Sequence, residues 1–130
     1  MMELVIKFGG SAGKIWQTLN SEKVASELSL KKKTGLKNDE FYGGIGWLAR
    51  ENKIRREEGM YKLGETNLTN EIGSNAGKIW QTLKMHGEQG IAELSKLTNL
   101  REKELFASLG WLARENKIEI DNITTKWKLR

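Results

Sequence analysis

The stretch GWLARENKI, Gly46 to Ile54, returns letter for letter at Gly110 to Ile118. A second stretch, AGKIWQTL, runs from Ala12 to Leu19 and again from Ala76 to Leu83, at the same offset of 64. Between the blocks the pairs Leu30/Leu94, Lys32/Lys96, Thr34/Thr98, Leu36/Leu100 and Glu40/Glu104 hold that register without a gap. Two matched blocks at one spacing mean an internal duplication, and a repeat decides the architecture before any local reading does. The chain is one module used twice, residues 1–64 and residues 65–130. A module of that length buries only about 60% of its unfolded surface and is marginal alone, so packing of the two copies would offset the weakness.

Each copy reads as the same series of elements. Ala12, Ile15, Trp16 and Leu19 fall on one face of a first helix, as do Ala76, Ile79, Trp80 and Leu83. Ser11 and Asn75 are placed as its N-caps, because their side-chain oxygens accept orphan amide hydrogens. After a polar connector, NSEKVA or KMHGEQG, a second helix spans about residues 26–33 and 91–97. It ends at TGL (Thr34–Leu36) or TNL (Thr98–Leu100), where Gly and Asn suit a left-handed residue. A third helix is expected over 38–51 and 102–115, burying Phe41, Ile45 and Leu48, or Leu105, Leu109 and Leu112. Short runs around Glu58–Gly59 and Asp121–Asn122 then read as β-hairpins. The expected fold is mainly α with small β-hairpins (α+β), a winged helix-turn-helix in two pseudo-symmetric copies.

Composition narrows the function classes. Cysteine is absent, which excludes disulfides and thiolate metal sites and fits a cytoplasmic location. The opening MMELVIKF is too short and too charged for a signal peptide or a membrane span. The formal net charge is +5, with 12 Lys/Arg against 8 Asp/Glu in residues 1–64 and 10 against 9 in residues 65–130. His86 stands alone in the connector, without partner ligands or a nucleophile, so neither metal nor catalytic chemistry is expected. FGGSAGK (Phe8–Lys14) lacks the full phosphate-loop pattern, since Lys14 is followed by Ile15. No cofactor is implied, and the chain reads as a non-enzyme.

With A-G-x-I-W, T-G-L and G-W-L-A-R-E-x-K-I in place, the chain resembles a small winged helix-turn-helix family of bacteria and archaea catalogued as a domain of unknown function. The resemblance covers nearly the whole chain, once per copy. It implies DNA-binding ancestry, and members with one module that pair as homodimers, of which this chain would be a covalent version.

GWLARENKI itself reads first as a core-and-turn signature. Trp and Leu fill the space under the hairpin, Asn52 and Asn116 turn the chain, and Ile54 and Ile118 point inward. Glycine inside a helix costs ~1 kcal/mol relative to alanine, so Gly46 and Gly110 signal the close approach of a backbone or ring. Arg50 and Glu51 are candidates to pair with a neighbouring element.

In a helix-turn-helix the second motif helix enters the major groove while flanking cations hold phosphates. Copy one supplies Lys31, Lys32, Lys33, Lys37 and Asn38 around the turn, with Arg55, Arg56 and Lys62 on the wing. Copy two supplies Lys96, Arg101, Lys103, Lys126 and Lys128, opposed by Glu102 and Glu104. Lys33 aligns with Leu97, an apparent core position from which its amine would have to reach outward. These residues suggest a transcription-regulator-like protein whose first copy contacts double-stranded DNA. The rival is a protein-interaction scaffold: Gly43, Gly44 and Gly46, or Ala107, Ser108 and Gly110, leave small residues where a reading helix displays long ones. Burial of residues 37–43 against the other copy would favour that rival. A small-molecule sensor with a pocket between the copies has no residue signature. Residues 64–71 read equally as a flexible linker or as part of a shared interface.

Overall fold

The computed structural model describes residues 2–130. Copy one opens with a continuous helical run: α1 (Met2–Leu4), a π-helical turn (Val5–Gly9) and α2 (Gly10–Glu22). Then come β1 (Val24–Ser26), α3 (Glu27–Thr34), α4 (Asn38–Arg50), β2 (Ile54–Glu57) and β3 (Met60–Leu63). Copy two repeats the series with a π-helical turn (Thr69–Gly73), α5 (Ser74–His86), α6 (Ile91–Thr98), α7 (Glu102–Arg114), β4 (Ile118–Ile120) and β5 (Trp127–Leu129). Each copy is a winged helix-turn-helix. The left-handed residues fall as expected, with φ of 67° at Gly35 and 60° at Asn99.

Ser11 and Asn75 are not N-caps. Both lie inside their helices, and the Ser11 hydroxyl donates to the Lys7 carbonyl at 2.7 Å. The helix begins earlier because Leu4 and Phe8 prolong the apolar stripe of Ala12, Ile15 and Leu19, all of them buried. The connector of copy one is also more than a connector. Its β1 pairs antiparallel with β3, Ala25 opposite Tyr61, giving a three-stranded sheet of order β1-β3-β2. In copy two the matching segment makes a single bridge, Gln89 to Trp127, beside a two-stranded wing. His86 closes α5 rather than sitting in a loop. Leu97 is not a core position: it is 46% exposed, and Lys33 in its place is ion-paired to Glu22 at the end of α2.

The two copies share their cores. Leu68 and Ile72, at the start of copy two, belong to the apolar cluster of copy one with Phe41, Ile45 and Tyr61. Reciprocally, Leu4 and Phe8 lie in the cluster of copy two, where Phe8 stacks on Trp127 at 6.1 Å between centroids. Residues 64–71 are therefore part of a shared interface. Asn67 exchanges two hydrogen bonds with the backbone of Arg56, and Thr66 donates its amide to Asn52 at 2.8 Å.

At the centre α4 packs on α7. Their N-terminal ends meet through Tyr42 and Lys103, and their C-terminal ends through Arg50 and Glu115, so the helices run in the same direction. The approach is backbone to backbone. A Cβ on Gly46 would lie 1.7 Å from the Ala107 carbonyl oxygen, and one on Gly110 would lie 1.9 Å from that of Gly43. At the C-terminal ends Arg50 Nε donates to Glu115 at 3.0 Å and Arg114 Nε to Glu51 at 2.9 Å. Each guanidinium also lies over the opposite indole, Arg50 on Trp111 and Arg114 on Trp47. Trp47 and Trp111 seat in turn against Gly9 and Gly73 of their own first helices, at 3.2 and 3.3 Å from the site of a Cβ. GWLARENKI is thus a self-complementary interface as well as a core-and-turn signature, the same patch used on both sides of a pseudo-two-fold.

Where the copies differ, they differ in compensated pairs. Gly43 leaves room for the Phe8 ring, 2.3 Å from where a Cβ would sit, whereas its counterpart Ala107 goes with the smaller Ile72. Gly43→Ala should destabilise the protein by about 1–3 kcal/mol through overpacking. Adding Phe8→Ile, which recreates the pair of copy two, should recover part of that loss, and denaturant unfolding of the four-member cycle reads the coupling. Additive single and double effects would mean that ring and glycine are independent. Gly110→Ala has no such partner to relieve it, since its Cβ meets main chain, and should lower stability at least as much.

Candidate nucleic-acid interface

Helix α4 occupies the place of a groove-reading helix, yet little of it is free. One face packs into the core of copy one and the other against α7, so only Asn38 and Arg50 are exposed. On α7 only Glu102, Lys103 and Arg114 are exposed. Of residues 37–43, Phe41 and Gly43 are buried, Asp39, Glu40 and Tyr42 are half-buried, and Lys37 and Asn38 reach solvent. Because the helices run in the same direction, both N-terminal ends emerge on one side of the molecule.

Most of the cations expected to hold phosphate are already engaged. Lys31 Nζ donates to the Tyr42 hydroxyl at 2.8 Å, and that hydroxyl donates to Glu27 at 2.9 Å. Lys103 comes across from α7 to the same carboxylate at 3.4 Å and lies over the Tyr42 ring. Burial alone would push the Glu27 carboxyl up, but the Tyr42 hydrogen bond and the charges of Lys103 and Lys31 outweigh it and hold it below the usual range. The same cluster raises the Lys31 amine against its own desolvation, chiefly through Tyr42 and Glu27. The hub ties the two helix-turn-helix motifs together.

On the wing, Arg55 donates to Glu57 at 2.8 Å and to the Glu65 carbonyl at 2.7 Å. Arg56 grips both oxygens of Glu71, at 2.8 and 3.1 Å, with its guanidinium over Tyr61. These two arginines clamp the start of copy two to the wing of copy one. Lys62 faces Glu57 at 3.5 Å and Lys128 faces Glu119 at 3.5 Å, while Lys33 is held by Glu22.

What remains is a smaller set around the turns. Lys32, Lys37, Asn38, Lys96 and Lys126 are exposed, and among the described residues none of their side chains has an ion-pair partner. Arg101 is 85% exposed with Glu104 at 3.6 Å, a loose pair. Sequence reasoning missed Lys14 and Lys78, exposed cations inside the AGKIWQTL blocks. Lys14 lines a concavity of about 370 Å³ with Leu36 and Glu40 at the turn of copy one. Lys78 lines one of about 530 Å³ with Leu97 and Thr98 in copy two. Their signal was present: the same cation at the same position in both copies, on the outer side of an apolar stripe. Three position pairs, Lys14/Lys78, Lys32/Lys96 and Lys37/Arg101, therefore put free or nearly free cations around each turn.

Among the described residues no group of three or more His, Cys, Asp or Glu could hold a metal ion, and no helix is long and apolar enough to cross a membrane. The chain is similar to the mRNA-binding domain of elongation factor SelB from E. coli, solved in complex with SECIS RNA. Identity is 16%, over 92% of this chain and 97% of that one, with a TM-score of 0.42, a likeness that carries no functional weight. No curated protein matches. The winged helix-turn-helix domain family DUF2582 matches at residues 2–64 and again at 67–130. With the motif geometry present in both halves, the chain belongs to that family and carries its domain twice.

Proposed function

We propose that the protein binds nucleic acid, duplex DNA foremost, through phosphate contacts from the turns of both copies, as a non-catalytic, cytoplasmic, regulator-like protein. The observation that supports this reading is the recurrence of lysine or arginine at the three position pairs around the turns, while most of the other candidate cations are held in internal ion pairs. Phosphate contacts position a protein on a duplex and carry no sequence information. With the middle of α4 and α7 buried, base edges lie beyond reach of all but Asn38 and its neighbours at the helix start. Affinity on this reading is electrostatic and weakly selective.

The rival scaffold reading draws on the same burial. Half of it describes the molecule: the small-residue faces do pack the copies together. That packing also leaves those faces covered, so an external partner would have to use another surface.

Fluorescence anisotropy of a labelled random duplex across a salt series tests the proposal, with a matched RNA hairpin as the second arm. Log K should fall linearly with log salt, by about 0.9 per phosphate contact on B-DNA. The triple substitution Lys14→Ala, Lys32→Ala, Lys37→Ala should flatten that slope and weaken all sequences alike. Arg55→Ala with Arg56→Ala should lower stability and leave the slope unchanged. Absence of binding at low salt, or a slope indifferent to the triple substitution, would overturn the reading; tighter binding to the hairpin would move it from DNA to RNA.

A further inference from the structure

A second pair of features lies at the opposite ends of α4 and α7 from the turns. In copy one a groove of about 490 Å³ opens between the first helix and the C-terminal end of α4, walled by Trp16 and Trp47. In copy two a groove of about 250 Å³ is walled by Trp80 and Trp111. Every position that lines both grooves carries the same residue in both copies. The two repeated blocks meet here, AGKIWQTL from one side and GWLARENKI from the other.

Internal packing accounts for only part of that identity. Trp47, Leu48 and Glu51 serve the core and the inter-copy contact, and Trp80 packs on the core of copy two, but Gly13 and Gly77 serve neither. Apart from the adjoining backbone of its own helix, no atom lies within 4 Å of where a Cβ on Gly13 or Gly77 would sit. Glycine inside a helix is destabilising relative to alanine, so nothing within the protein favours it there. Gly10 is equally open, yet its counterpart is Ser74. Trp80 is half-buried against the core of copy two, whereas its counterpart Trp16 is 38% exposed and outside the core of copy one, and still a tryptophan. Glycine at this point leaves the floor flat beneath an exposed indole.

The rim has a sign. Glu51 accepts from Arg114 at 2.9 Å and faces Lys53 at 3.5 Å, two cations for one carboxylate. Glu115 does the same with Arg50 at 3.0 Å and Lys117 at 3.4 Å. Each rim is left with an excess positive charge, beside the exposed amide of Gln17 or Gln81.

We propose that each groove binds a small molecule with a flat aromatic ring that carries an acidic group. The ring lies against the two indoles over Gly13 or Gly77, and the acid pairs with Lys53 or Lys117. A saturated ring would not match the flat floor, and an uncharged occupant would not match the basic rim. In copy one the groove shares no residue with the Lys14 concavity and stands apart from the nucleic-acid reading; in copy two Gly77 and Gln81 border both features.

Titration of the intact, nitrogen-labelled chain, followed through its tryptophan indole N–H resonances, tests it. Naphthoate and adenosine monophosphate are the probes, and separate a carboxylate from a phosphate as the acidic group. Naphthylmethanol and cyclohexanecarboxylate are the uncharged and non-planar controls. Trp16, Trp47, Trp80 and Trp111 should move at millimolar probe while the buried Trp127 stays. Gly13→Leu should abolish the response of copy one and spare that of copy two, which also reports that the variant is folded. Lys53→Gln should weaken copy one by about two- to fivefold, the range of an exposed ion pair. The proposal is overturned if neither probe moves the four indoles, if either control binds as tightly, or if Gly13→Leu leaves copy one responsive.

Discussion

The main chain of α4 lies on the main chain of α7, Gly46 against the Ala107 carbonyl and Gly110 against that of Gly43, and the rest of the molecule is arranged around that approach. No side chain larger than hydrogen fits at Gly46 or Gly110, so the contact sets the separation of the two copies. Each glycine costs ~1 kcal/mol of helix propensity, which the dense packing it permits must offset. The shared direction of the helices then brings their turns to one side and the paired Trp, Arg and Glu residues to the other. It also lets each first helix begin in the opposite core, Phe8 on Trp127 and Ile72 beside the residues of copy one. Neither copy has a complete core alone, which is the physical answer to a module too short to be stable.

The repeat, the left-handed turn residues and the alternation of helix and hairpin were legible because they are local. Gly35 and Asn99 announce a turn by their backbone preference, and Phe41, Ile45 and Leu48 announce a buried face by their spacing. Even the close approach at Gly46 and Gly110 could be read, since a helix tolerates such glycines only for a reason. What could not be read was the partner. Leu4 and Phe8 look like an unattached apolar prefix until the other core is present, and Gly9–Gly10 looks like a helix breaker until Trp47 is seen against Gly9. The candidate site fared worse for a related reason. Lys31, Arg55 and Arg56 are as basic on paper as Lys32 and Lys37, and only the fold reveals that Tyr42, Glu57 and Glu71 have taken them.

The departures from symmetry follow from the covalent link. Arg56 holds Glu71 at the start of copy two, whereas the counterpart of Arg56 is Ile120, an apolar side chain that makes no such ion pair. Glu27, Tyr42 and Lys103 likewise form one bridge across the motifs, whereas the equivalents of Glu27 and Tyr42 are Ile91 and Phe106. A homodimer would have to carry each such pair twice or not at all. Duplication in one chain frees each copy to supply only one half.

The groove and the turn sit at opposite ends of the same helix, which raises the question of whether one can act on the other. A shift of α4 along α7 would drive Gly46 or Gly110 into a carbonyl oxygen, and tightly packed interfaces do not deform continuously. An occupant of the groove therefore has little means of changing the spacing of the two turns. Its influence would be electrostatic and local. Lys53 and Arg114 share the Glu51 carboxylate, so an acid that engages Lys53 leaves Glu51 more fully to Arg114 and strengthens the contact between the copies. On this geometry occupancy adds to the stability of the pair and leaves the turn lysines where they were.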